Sequence, residues 1–328
     1  MPETFTHEVV IIGAGPAGMC AAMYAGRSML DAVVLERGFP GGELLNTEMV
    51  EDYPGFEHIL GAELAQKFQS HAEKFGAKIR TGVTVTAVRK RPDGSFETIS
   101  DNGDVYLSPT VIITAGGTPV KLGVPGELEY AGKGVSYCAI CDGAFFKQQE
   151  IAVVGGGDAA VEEADFLTRY ASKVYLIHRR EELRASKILQ KRLFANPKIE
   201  PIWNTAVEKV EADAAGLVNN LRLRDVNTGA QRDLAVTGMF VFIGFRPNSG
   251  IVDGHVKHDD MGYLITDANM QTSIPGLFAA GDLRAQLTRQ VTTAVGDATT
   301  AAIAVEKFLK SIREGGDGAI IGTGGYTS

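Results

Sequence analysis

Val9-Val10-Ile11-Ile12-Gly13-Ala14-Gly15-Pro16-Ala17-Gly18 decides the fold, because its pattern returns as Ile151-Ala152-Val153-Val154-Gly155-Gly156-Gly157-Asp158-Ala159-Ala160. Each copy is an apolar run, then a Gly-rich turn, then a helical pattern. Strand, turn and helix in that order open a nucleotide-binding βαβ unit. In the first copy, Gly13 permits the tight turn. Gly15 lets the backbone approach a pyrophosphate, and Gly18 lets the helix pack on the strand. The helix predicted from Pro16 and Ala17 to about Ser28 offers free N–H groups to the phosphates. The next strand, Ala32-Val33-Val34-Leu35, ends at Glu36, 23 residues after Gly13. An acid at that place accepts from ribose hydroxyls.

The second copy differs at one informative position. Its strand is Ile151 to Val154, its helix continues over Val161 to Tyr170, and its next strand is Val174 to Ile177. Gly155, Gly157, Asp158 and Ala159 form the cradle, and Ala160 replaces the third glycine, which the fingerprint permits. Twenty-three residues after Gly155 stands His178 rather than an acid, followed by Arg179, Arg180 and Arg184. An acid there repels a 2′-phosphate, whereas an arginine fork pairs with one. The copy therefore reads as an NADPH site. The plainer alternative is that the arginines form a solvated face.

Bulk properties narrow the class. The 328 residues suffice for two domains, with 45% hydrophobic and 22% charged residues, an ordinary globular mix. A net charge of −8 disfavours nucleic acid or an anionic membrane as partner. Met1 to His7 shows no signal-peptide pattern, and no apolar run nears the roughly 20 residues of a membrane helix. Three cysteines are too few for a disulfide scaffold, so a reducing, cytoplasmic setting is expected.

Two of those cysteines lie in Tyr137-Cys138-Ala139-Ile140-Cys141-Asp142. The spacing lets both sulfurs meet on one helical turn, so a disulfide opens and closes there. A helix N-terminus lowers a thiol pKa. Half a zinc site or an inert pair are the alternatives. Zinc needs four ligands, Cys20 sits in the first helix as a small apolar residue, and the six histidines show no matching spacing, so no metal is expected. Asp142 reads as an acid for the leaving thiolate or as a helix cap. Further on, the stretch Ser273 to Asp282 reads as a turn, a buried strand, then Gly281-Asp282. A helix follows from about Val291 to Leu309, with Arg289-Gln290 at its threshold.

From Glu8 to about Ile312 the chain resembles the low-molecular-weight thioredoxin reductases, a class of pyridine nucleotide-disulfide oxidoreductases. The match rests on both turns, Gly41-Gly42, Tyr53-Pro54-Gly55 and the run Thr114 to Pro119. It continues through Val124-Pro125-Gly126-Glu127, the cysteine pair with Asp142, and His178-Arg179-Arg180 with Arg184. Phe242 to Asn248 and Gly281-Asp282 with Arg289-Gln290 complete it. The resemblance implies an α/β fold of two Rossmann-like domains. A discontinuous FAD domain spans 1–117 and 248–328, and the inserted NADPH domain, 118–247, carries the cysteines. It implies FAD contacts on Gly13, Gly15, Pro16, Ala17, Gly18, Glu36, Gly42, Glu43, Leu44, Asp52, Ala115, Gly116, Gly281, Asp282, Arg289, Gln290 and Val291. NADPH falls to Gly155, Gly157, Asp158, Ala159, His178, Arg179, Arg180 and Arg184.

It further implies a homodimer that passes electrons from NADPH through FAD to the cysteine pair and on to thioredoxin. Cys141 lies nearest the flavin, Cys138 attacks the partner disulfide, and Asp142 handles the proton. The family alternates two domain orientations, which places hinges near Gly117-Thr118 and Gly244-Phe245. A glutaredoxin-like partner, or a non-catalytic flavin sensor, are the rival readings. The chain departs from the family at Glu43, where Gln is usual, and at Asp52, where Asn is common. Ionised carboxylates beside the flavin are expected to lower its potential, which Asp52→Asn would raise; the alternative is that both acids are protonated or turned to solvent. The Gly-rich end, 315–328, reads as a flexible tail, or as an end whose Tyr326 packs on the flavin or on a partner subunit.

Overall fold

Val9–Ile12 and Glu150–Gly155 are the middle strands of two separate five-stranded parallel sheets. The computed structural model describes residues 2–47, 49–252, 256–316 and 318. The chain divides into two compact units: Met1–Thr118 with Arg246–Ser328, and Pro119–Phe245. It crosses between them at Gly117–Pro119 and Phe245–Pro247, two short strands that pair with each other.

In the first unit the sheet order is Leu277–Ala279, Thr110–Ile113, Val9–Ile12, Ala32–Glu36 and Lys78–Thr81. Its three inner strands are almost wholly buried, which is why they read as unbroken Val/Ile/Leu runs rather than alternating ones. Helix α1 (Pro16–Arg27) starts at Pro16, which suits a first helical position because the missing N–H there needs no partner. Its buried face is almost all Ala, Gly and Cys. That lets it pack closely on the alanines of the last helix, α6 (Val291–Arg313), in one apolar cluster with Val9, Ile11 and Phe278. Cys20 lies in this cluster, its Sγ beside the Val295 carbonyl and Thr299, and burial pushes its thiol pKa up. Helix α2 (Gly61–Lys74) completes the layer, and a four-stranded sheet from Thr4–Thr6 and 85–108 caps the other side.

The second unit repeats the plan. Its sheet order is Val135–Ser136, Gly238–Phe242, Glu150–Gly155, Lys173–Ile177 and Ile199–Ile202. The cysteine segment forms the four-residue α3 (Ala139–Asp142). Helix α4 (Asp158–Leu167) follows the second turn and packs beside α5 (Lys187–Ala195). A three-stranded antiparallel sheet over 205–234 closes this unit. Among the described residues, no helix is long and apolar enough to cross a membrane. Tyr326 lies outside the described residues.

Candidate functional site

The first turn is built by sterics that only glycine meets. Gly13 has φ +100°, and an added Cβ would come within 2.7 Å of the Thr114 carbonyl oxygen. A Cβ on Gly18 would overlap the Gly13 carbonyl oxygen itself. Thr114 pins the same bend, its hydroxyl 2.8 Å from the carbonyls of Ile12 and Gly13. Gly15 is different. Its φ of −72° suits any residue, and an added Cβ would meet only Gly42 Cα, at 3.9 Å. At Gly157, the equivalent place in the second turn, nothing lies within 4 Å. The protein's own packing does not require glycine at either position. The missing side chains keep both helix N-termini open, as an approaching pyrophosphate demands.

Two adjoining cavities, of about 370 and 250 Å³, run past the first turn and share Gly13, Glu36, Arg37 and Ala115. The smaller gathers, from segments far apart in sequence, Gly15, Pro16, Ala17, Gly42, Glu43, Leu44, Gly116, Gly281, Asp282, Arg289, Gln290 and Val291. Gly18 lies behind the turn, buried. Asp52 is exposed and does not line either cavity. Glu36 stands at the junction, its two oxygens accepting from the N–H groups of Ala14 (2.7 Å) and Gly38 (2.8 Å). The larger cavity is walled by Asn248, the end of the Phe242-to-Asn248 run, and by Val83, Thr84, Val85 and Ile251, which the sequence does not mark. The last four carry no motif, and only the fold brings them to Glu36.

The far wall of the smaller cavity is fixed through α6. Gln290 caps this helix in a reciprocal capping box with Thr293. Asp297, inside α6, accepts from Gly281 N–H at 3.2 Å and from the Arg284 guanidinium at 2.8 Å. This partly buried pair ties the Gly281-Asp282 loop to the helix. Arg289 donates from Nε to the Asp282 carbonyl and lies 3.9 Å over the Tyr263 ring. Burial raises the pKa of Asp282 ahead of the opposing pull of Arg289, and Glu43 and Asp297 raise it further. Partial desolvation in the cavity wall likewise raises Glu43, whose side chain lines the cavity while staying open to solvent, against Asn46 and Arg37. The acid beside the turn, the open helix N-terminus and the wall of polar groups fit FAD.

At the second turn the arginine loop is strapped to the glycines. Gly156 carbonyl accepts from Arg184 N–H (2.7 Å) and Ala185 N–H (3.2 Å). Asp158 Oδ1 accepts from Ser186 N–H at 2.6 Å. Arg179, Arg180 and Arg184 are exposed on this loop, and Ala159 is exposed on the first turn of α4. His178 is buried, only 7% exposed, and its Nε2 donates to the Glu182 carbonyl at 3.0 Å. Burial lowers its pKa below the ordinary value, against hydrogen bonds to Glu182 and Gly155 that favour the charged ring and with Arg184 and Arg180 beside it.

Cys138 and Cys141 form a disulfide with their Cα atoms 5.3 Å apart. Cys138 caps α3, and its Sγ accepts the Cys141 N–H at 3.2 Å. Ser136 holds the Cys138 backbone from the preceding strand. Ile140 packs against the core of this unit, and Cys141 is exposed. Asp142 begins a short 3-10 turn without capping it by its side chain. Among the described residues no cluster suits a metal.

Residues 7–298 match the pyridine nucleotide-disulphide oxidoreductase family. A thioredoxin reductase of Bacillus subtilis is 46% identical over 315 residues, which is 96% of this chain and 98% of that protein. The chain belongs to the thioredoxin reductase family. A thioredoxin reductase of Listeria monocytogenes is 45% identical over 95% of the chain and 97% of its own length. The solved thioredoxin reductase of Lactococcus lactis superposes with a TM-score of 0.89 at 43% identity, covering 93% of this chain and 99% of that one. The relatives favour neither the glutaredoxin-like nor the sensor reading.

Proposed function

We propose that this chain is an NADPH-dependent thioredoxin-disulfide reductase that uses FAD and works as a cytoplasmic homodimer. The disulfide at the start of α3, in the unit whose second turn carries the arginine loop, is the observation that carries the reading. The first unit, with Glu36 at the junction of its cavities and α6 at the far wall, is the FAD domain in this proposal. The second unit is the NADPH domain. Bound FAD supplies a two-electron relay between a pyridine nucleotide and a disulfide.

The chain's own residues do the rest. Arg179, Arg180 and Arg184 hold the 2′-phosphate. Of the two sulfurs, Cys138 is the one whose thiolate is stabilised, because the Cys141 N–H already points at it. Its thiolate attacks one sulfur of the thioredoxin disulfide and expels the other as a thiolate. The Cys141 thiolate then attacks Cys138 Sγ, restoring the internal disulfide and releasing the second thioredoxin thiolate. Asp142, half-buried beside Cys141, moves the proton to the departing sulfur.

A steady-state assay with NADPH, NADH and oxidised thioredoxin tests this. Cys138→Ser is expected to lower thioredoxin reduction by at least about a thousandfold, the scale of losing a nucleophile, while NADPH-to-dye electron transfer persists. Thioredoxin reduction retained in the variant overturns the assignment.

A further inference from the structure

The second residue of each Gly-rich turn differs, Ala14 in the first and Gly156 in the second. In the first turn the Ala14 methyl is fully buried and packs in the apolar cluster between sheet and helices. In the second turn that space is not free. A Cβ added to Gly156 would overlap Cε1 and Nδ1 of His178 and lie 2.8 Å from its Nε2. The ring cannot simply swing away. It is buried, it bonds the Glu182 carbonyl, and Trp203 meets it edge-on with centroids 6.4 Å apart. The Gly156 carbonyl meanwhile holds the N–H groups of Arg184 and Ala185. His178 and Gly156 thus grip the loop 178–185 at two points, one at Glu182 and one at Arg184.

We infer that Gly156 and His178 are a matched pair of positioning residues, whose packing fixes the arginine loop and so sets selectivity for a 2′-phosphorylated nucleotide. The inference rests on reading the second turn as the NADPH site. His178 acts from beneath the turn, through the loop it holds. Ala at position 156 drives the ring off the Glu182 carbonyl and shifts the loop. The exposed arginines then lose their aim, although none has been changed. The pyrophosphate cradle at Gly157 is a separate feature, so a nucleotide without the 2′-phosphate feels the change less.

Full-length protein carrying Gly156→Ala, His178→Ser, or both tests the pairing, with dissociation constants measured for NADP+ and NAD+ and with melting temperatures. Gly156→Ala alone is expected to weaken NADP+ roughly tenfold, the scale of one charge-assisted hydrogen bond, and NAD+ much less. In the His178→Ser background, where the ring is gone, adding Gly156→Ala should change the NADP+ constant less than about twofold. An equal penalty in both backgrounds, or equal weakening of the two nucleotides, overturns the inference. If Gly156→Ala alone does not fold, folding of the double variant supports the pairing and failure of both overturns it. A parent protein that binds NAD+ as tightly as NADP+ instead sinks the NADPH reading itself.

Discussion

The two Gly-rich turns share a backbone plan and part company in what lies 23 residues on. In the first, Glu36 reaches over the turn and accepts the Ala14 N–H. In the second, His178 lies beneath the turn against Gly156. The carbonyl of each second residue tethers a downstream loop: Ala14 accepts from Gly41 N–H at 2.8 Å, and Gly156 accepts from Arg184 and Ala185. The first tether holds the segment carrying Gly42 and Glu43 at an acidic cavity. The second holds a basic loop. In the proposed function one scaffold serves two dinucleotides, and the tethered segment, rather than the glycines, carries the distinguishing charge.

The largest expected effect comes from removing that charge. Replacing Arg179, Arg180 and Arg184 together by Ala should raise the NADPH KM at least about 100-fold, from charge-assisted bonds of roughly 1.5–3 kcal/mol each. The NADH KM should stay near its parent value. Equal increases for both nucleotides would mean that the loop only supports the turn. Next comes the helix position that differs between copies. Gly18→Ala forces a methyl into the Gly13 carbonyl and should destabilise the first unit by about 1–3 kcal/mol, read as a lower melting temperature. Ala160→Gly, at the equivalent place, should cost only about 1 kcal/mol. If the two losses matched, the turns would be sterically alike and the contrast would fail.

The smallest effect concerns the acidic cavity. Glu43 has a pKa raised by partial desolvation in the cavity wall, so its ionised form is somewhat disfavoured in the folded apoprotein. Stability linked to this group is present at pH below its ordinary value of 4.5 and is lost as pH rises through the raised value. Glu43→Gln should therefore raise the melting temperature of the apoprotein at pH 7 and leave it unchanged near pH 4. The same change should raise the flavin midpoint potential of the holoprotein, whereas Asp52→Asn, at a residue that lines neither cavity, should move neither reading. A shift from Asp52→Asn as large as that from Glu43→Gln would place the critical charge elsewhere.

Two βαβ nucleotide units, their Gly-rich turns, the cysteine pair and the residue 23 places after each turn are legible in the chain itself. These are local signals: apolar runs of strand length, glycines at fixed offsets, and residues counted along one βαβ unit. Arginines in register after the second turn were legible for the same reason. Tertiary structure alone decided the rest. Thr114 opens a run the sequence marks, but its grip on the Gly13 carbonyl across 101 residues is not legible there. Asp297 and Arg284 look like ordinary polar residues in the chain, yet Asp297 binds Gly281 and Arg284 across 16 and 13 residues and pins the Gly281-Asp282 loop. Val83, Val85 and Ile251 wall the larger cavity without any motif. His178 and Gly156 sit in separate motifs, and only packing shows that the ring fills the space a Cβ would need. Spacing along the chain specifies which chemistry is present. Which groups touch, and which are buried or left exposed, follows from how the two sheets and their helices exclude water.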